Sequence, residues 1–188
     1  MLNLYGEYIT VVKLFDFFNY LELKGIYMNQ QYTNELTPEL KSELETSPFT
    51  AEEIAAMDDD ARAIIAEGRD LERKHPVIAI WRIATAGSIT CREGIIAPVE
   101  REGKLLLDNG RYASIATVGD IVTYQDVSTA TISTSAGAAS MLKGAGVALV
   151  GSVLSNGDEI ISTPQGHAYL VTREGIAPGR DFLTVTGA

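Results

Sequence analysis

The side chains of this sequence that could do chemistry are few and scattered. Cys91, His75 and His167 are the soft or basic candidates. A Cys–His pair can work as nucleophile and base, and a tight metal site would need both histidines, the cysteine and a carboxylate to converge. A lone cysteine beside strand residues is more commonly a small packed or incidental thiol. His167 follows Thr163-Pro164-Gln165-Gly166 and reads as a turn residue leading into a strand over 168–172. Asp58-Asp59-Asp60 offers three carboxylates without the spaced ligands and glycine of a calcium loop, so it reads as a solvated helix face. No G-x-S-x-G elbow, P-loop, H-E-x-x-H or paired zinc motif occurs. The expectation is a protein that is not an enzyme.

The elements that would position these residues come from a repeat. Three phrases, Ile83-Ala84-Thr85-Ala86-Gly87-Ser88, Ile115-Ala116-Thr117-Val118-Gly119-Asp120 and Val147-Ala148-Leu149-Val150-Gly151-Ser152, follow one another at 32-residue spacing. Ile89-Thr90-Cys91, Ile121-Val122-Thr123 and Val153-Leu154-Ser155 continue the register. A fixed period of this kind marks supersecondary units that bury their apolar faces against one another. Three such units can close around a pseudo-threefold axis, with Gly87, Gly119 and Gly151 at turns needing positive φ or close backbone approach. Closure also removes exposed strand edges.

Beyond Pro76 the pattern is short strands punctuated by glycine: 77–80, 105–107 before an Asn109-Gly110 turn, 115–118, 121–124, 147–150 and 160–161. The small-residue stretch 135–146 reads as a tight connection or close backbone packing, with a flexible linker as the alternative. Trp81 stands at the junction of helix and first repeat, where core packing is its default role.

Before Pro76 the chain reads as helical. Thr37-Pro38 is a helix start, and Thr50-Ala51-Glu52-Glu53 is a capping box. Behind the box, Ile54, Met57, Ala61, Ile64, Ile65 and Leu71 recur at helical spacing up to His75-Pro76. The acidity lies here. Residues 28–77 carry 12 acidic and 5 basic side chains, whereas 78–188 carry 10 and 8, within a net charge of −10. No basic stripe exists to neutralise phosphates, which argues against a nucleic-acid partner. Residues 11–27 are apolar and aromatic, but Lys13, Asp16, Asn19, Glu22 and Lys24 interrupt them, so neither a membrane span nor a signal peptide is expected. Met1 and Met28 are both candidate starts.

The repeats resemble the PAAR-repeat family, the tips of contractile injection machines such as type VI secretion systems and contractile bacteriophage tails. The family phrase, roughly Pro-Ala-Ala-Arg-Val-Gly-Asp, is matched by Ser114-Ile115-Ala116-Thr117-Val118-Gly119-Asp120, with weaker copies at 82–88 and 146–152. The family's closing phrase looks like Asn156-Gly157-Asp158-Glu159-Ile160-Ile161-Ser162. The resemblance covers residues 80–163, and the naming proline and arginine are absent from every copy. Family members usually hold one zinc near the apex. Arg92, Tyr124 and Asn156 occupy the matching positions, with Val127 near a remaining one, and none of these is a good zinc ligand. No cofactor is therefore expected.

The resemblance implies a mainly β fold: a cone-shaped pseudo-threefold unit at 78–163, after a helical, acidic extension at 1–77 and before a short C-terminal β extension at 164–188. Arg92, Tyr124, Asp126, Asn156 and Asp158 would form an apical hydrogen-bonded cluster, with an Arg–carboxylate pair in place of the ion; the alternative is unrelated solvated turn residues. The implied function is a structural tip that caps a homotrimeric β-helical spike, one tip per trimer, and helps pierce the target envelope. Its place would be the virion tail tip, or the bacterial cytoplasm before delivery. The seam at Ile54, Met57, Ile64 and Leu71 would meet the cone or a baseplate neighbour, and the repeats alone are expected to fold and bind the spike without residues 1–77. Alternatives are a carrier whose extensions recruit a toxin, and a β-repeat capsid-decorating protein.

Overall fold

A computed structural model describes residues 30–185. The readings made for residues 1–29, including the apolar run at 11–27, lie outside it. The chain is mainly β, with several small antiparallel sheets and three helices among the described residues. It forms two compact units. One holds 34–81 and 170–178; the other holds 30–33, 82–169 and 179–185.

The first unit carries α1 (Pro38–Glu45), α2 (Ala51–Ala56) and α3 (Asp59–Lys74). Thr37 caps α1 ahead of Pro38, and Thr50 and Glu53 form the expected capping box of α2. The sequence suggested one helix from the box to His75. The structure breaks it after Ala56, because the Asp58 carboxylate accepts from the Ala61 amide at 2.8 Å and starts α3 afresh. The aspartate run is therefore a cap with two acidic first-turn residues behind it, matched to the positive end of the helix dipole. No residue of the three helices is fully buried, and Ile64 and Leu71 of the apolar seam are exposed. None is long and apolar enough to cross a membrane. β1 (Val77–Arg82) pairs with β11 (Tyr169–Arg173), where the Trp81 indole donates to Thr172 Oγ1 at 2.8 Å.

The second unit contains the repeats, which bond to one another in a closed cycle. Ala116 donates its amide to Ala84 O, Ala148 to Ala116 O, and Ala84 to Ala148 O, each at 2.9 Å. Two residues further on, Ala86, Val118 and Val150 donate to Ser114, Gly146 and Arg82. The three alanines are buried, and a side chain this small lets three backbones meet at one point. Gly87, Gly119 and Gly151 then turn the chain at φ +85°, +89° and +99°, in the left-handed region that disfavours side chains. Ser88, Asp120 and Ser152 lock these turns, each accepting from the backbone amide three residues earlier.

Each copy continues into a hairpin, and the hairpins pair all the way round. β10 (Ile160–Ser162), β2 (Ile89–Thr90), β3 (Ile95–Ile96), β6 (Ile121–Thr123) and β7 (Thr129–Thr131) form one antiparallel sheet. Bridges Ile132↔Leu154 and Val153↔Glu159 join its two ends through residues 153–155, so the strand ring has no open edge. Ile96, Val122, Ile132, Leu154 and Ile160 fill its interior with the three alanines.

The equal 32-residue spacing conceals a redistribution. From the turn glycine to the residue that opens the hairpin turn is three residues in the first and third copies, Thr90 and Leu154, but five in the second, Tyr124. The bonds Gly87→Ile96, Gly119→Ile132 and Gly151→Ile160 show the same surplus, and a shorter segment before Gly146 compensates for it. The structural equivalents at the turns are therefore Arg92, Asp126 and Asn156. Tyr124, aligned with them by spacing, stands two residues earlier, directly after β6, and is buried.

Each phrase is entered from an outer strand pair: β4–β5 (Lys104–Leu106 and Tyr112–Ser114) for the second, β8–β9 (Met141–Leu142 and Ala145–Gly146) for the third, and β11–β1 for the first. Ile83, Ile115 and Val147 make equivalent bonds there, to the carbonyls of Ala168, Gly103 and Ser140. The expected Asn109-Gly110 turn joins β4 to β5, with Leu107 donating to Arg111 at 2.7 Å. The 135–146 stretch is closely packed: a Cβ on Gly146 would lie 2.2 Å from Ser135 Oγ.

Residues 31–33 are stitched into this unit. Tyr32 and Thr163 exchange backbone bonds at 2.8 and 3.0 Å, and Gln31 bonds Gly87 O and Ser162 Oγ. Tyr32 donates to Asp108, and Arg82 lies over the Tyr32 ring, 5.7 Å from its centroid. A truncation at residue 77 removes this strap together with the helices.

Candidate functional site at the hairpin ends

The polar side chains gathered where the three hairpins end form the most developed cluster of the β unit. Asp158, 2% exposed, lies one residue past the third turn. Its Oδ2 accepts from the Tyr124 hydroxyl at 2.8 Å. Its Oδ1 accepts from the backbone amides of Glu159 at 2.9 Å and Arg92 at 3.2 Å. The Thr90 hydroxyl, which accepts from the Gly94 amide at 2.9 Å, lies beside this carboxylate and the Tyr124 hydroxyl. Asn156 donates to the Tyr124 oxygen at 3.0 Å and accepts from the Asp158 amide at 3.0 Å.

The surrounding sequence makes room for this arrangement. Gly94 pairs across the strands beside Tyr124, and a Cβ there would lie 2.7 Å from both the Tyr124 ring and Val122. Thr90 occupies the inward position that Val122 and Leu154 hold in the other copies. A hydroxyl at a core position was the signal in the sequence for a member of the cluster that the spacing argument missed. Gln165 was missed too. Fully buried, it donates to Ile83 O and Ala168 O and accepts from the His167 and Ala168 amides.

Of the residues expected at the apex, Tyr124, Asn156 and Asp158 are brought together side chain to side chain. Arg92 meets the carboxylate through its backbone amide rather than its guanidinium. Asp126 accepts from the Ser128 amide and hydroxyl within its own turn. Turns one and two are joined outside the core by Gln125 donating to Glu93 at 3.0 Å.

Burial pushes the Asp158 carboxyl up, but the hydrogen bonds from Thr90, Tyr124 and the Glu159 and Arg92 amides outweigh it and hold the group below the usual carboxylate range. Burial raises the Tyr124 hydroxyl, helped by Asp158 and opposed by Asn156, so the phenol stays protonated as a donor at neutral pH. The cluster offers one carboxylate, two hydroxyls and an amide, with no imidazole or thiolate, a set that does not fit zinc. Cys91 is exposed, and among the described residues no three His, Cys, Asp or Glu side chains converge as a metal set. His75 faces the Glu174 carbonyl at 2.7 Å in the helical unit, and His167 sits in the Gln165 turn. Comparison with protein-family models, with curated proteins and with solved structures finds no match for this chain.

Proposed function

We propose that the β unit is a pseudo-threefold cone serving as the structural tip of a contractile tail or secretion spike, one copy on each homotrimeric β-helical spike. The observation that carries the reading is the closed cycle of backbone bonds among Ala84, Ala116 and Ala148. A single chain that repeats one bond three times around a point can meet each chain of a trimer with an equivalent surface. The closed strand ring adds the mechanical resistance that a piercing part needs. The work of such a tip is binding and piercing, so the protein is not an enzyme, and it binds neither nucleic acid nor a resident zinc ion. It resides at a virion tail tip, or in the bacterial cytoplasm before delivery.

The helical unit, compact in itself and with Ile64 and Leu71 exposed, favours a second role for that part of the chain as a docking arm for a baseplate neighbour or a carried toxin. Native mass spectrometry of the full chain with its cognate spike trimer tests the tip reading. One chain per trimer is expected, and absence of a complex, or three chains per trimer, contradicts it. Elemental analysis after dialysis should find no stoichiometric zinc.

A further inference from the structure

We infer that Asp158 is a carboxylate latch that ties the three hairpin ends into one mechanical unit. Its partners come from all three repeats. The Arg92 amide belongs to the first, where the Thr90 hydroxyl also lies beside the carboxylate, the Tyr124 hydroxyl to the second, and the Glu159 amide to the third. A carboxylate has about four acceptor positions. Donors from three separate hairpins occupy them here, at a site nearly closed to water.

The departures from repeat symmetry coincide with the latch. The positions that follow the three turns are Gly94, Ser128 and Asp158, and the positions that open them are Thr90, Tyr124 and Leu154. Only the second hairpin has the two extra residues per strand that carry a tyrosine inward, and only the first has the glycine that leaves space for its ring. A purely local role for Asp158, capping its own turn, would need the Glu159 amide alone. It would explain neither the buried tyrosine nor the glycine facing it. Hydrogen bonds to a buried charge are among the stronger ones, and removing one partner leaves the others unsatisfied.

The test uses the full chain and needs no spike, so its failure is separate from failure of the tip reading. Amide hydrogen exchange is compared for wild type, Asp158→Asn, Tyr124→Phe and Thr90→Val. The latch predicts exchange faster by about tenfold or more at the turns of all three hairpins in each variant, since each removes the charge or a polar group beside it. It also predicts that the double variant Asp158→Asn with Tyr124→Phe loses less than the sum of the two single changes. Protection lost only at residues 155–157 would overturn the proposal in favour of local turn capping. Should Asp158→Asn not fold, Tyr124→Phe and Thr90→Val give the same readout with only one hydroxyl replaced. A fall in protection on adding EDTA would also overturn it, by making an ion rather than the carboxylate the fastening.

Discussion

The two ends of the β unit solve one problem in opposite ways. At the alanine end, three backbone segments meet through identical backbone bonds at 2.9 Å, and the residue is the same in every copy. At the hairpin end, three strands meet through unlike side chains, Thr90, Tyr124 and Asp158, around one charge. Backbone groups are supplied equally by every repeat, so a ring of them can stay symmetric, and the side chain has only to keep out of the way. A single carboxylate cannot be shared symmetrically. One copy must provide it, the others must provide donors, and the repeat must break.

The contrast can be broken most strongly at the alanines. Ala84→Leu, Ala116→Leu and Ala148→Leu should each destabilise by about 3 kcal/mol, since overpacking a filled core costs roughly 1–3 kcal/mol and these sites also carry the ring. The three costs should agree closely in denaturant unfolding, because the sites are equivalent. A harmless substitution at any one of them would break the comparison. At the other end, Gly94→Ala should cost about 2 kcal/mol by forcing the Tyr124 ring out of place. Ser128→Ala, at the equivalent position of the second hairpin, should cost well under 1 kcal/mol as an exposed change.

Acid sharpens the same contrast. A carboxyl held below its unfolded value contributes stability that is fully present above the ordinary range near pH ~4, and loses it as pH falls through the depressed folded value. Wild type should therefore weaken in strong acid, and Asp158→Asn should lose that part of the pH dependence while starting less stable. The other ionisable groups of the hairpin ends, Arg92, Glu93, Asp126 and Glu159, are exposed in the turns or beside them. Thermal unfolding between pH 2 and 7 reads the difference, and identical acid profiles would count against the buried charge.

One expected effect is a gain. Val127 adopts φ +69° in the second turn, where the third copy has Gly157 at +77°. A β-branched residue is strained there, so Val127→Gly should stabilise by about 1 kcal/mol in the same unfolding assay.

The ring end was legible in the sequence because it is symmetric. A 32-residue period, an alanine and a glycine repeated in step are visible without coordinates, and so were the capping box and the Asn109-Gly110 turn. The hairpin end was legible only in its membership. Spacing alone aligned Tyr124 with Arg92 and Asn156, because four residues gained in the second hairpin are returned in the segment that follows it. An insertion and a deletion that cancel leave the period intact and move the side chain. The aspartate run hid its capping role for a related reason, since a helix that restarts after two residues keeps nearly the same apolar spacing. Nor could the sequence reveal that residues 31–33 close on Thr163, because a strap is fixed by tertiary pairing.

The closed cycle itself is open to direct observation. In isotope-labelled full-length protein, scalar couplings across hydrogen bonds connect a donor nitrogen to the acceptor carbonyl carbon. Three such couplings are expected, Ala84 to Ala148, Ala116 to Ala84 and Ala148 to Ala116, completing a circuit. A missing link between Ala84 and Ala148, with the other two present, would make the repeats an open row and would contradict the ring.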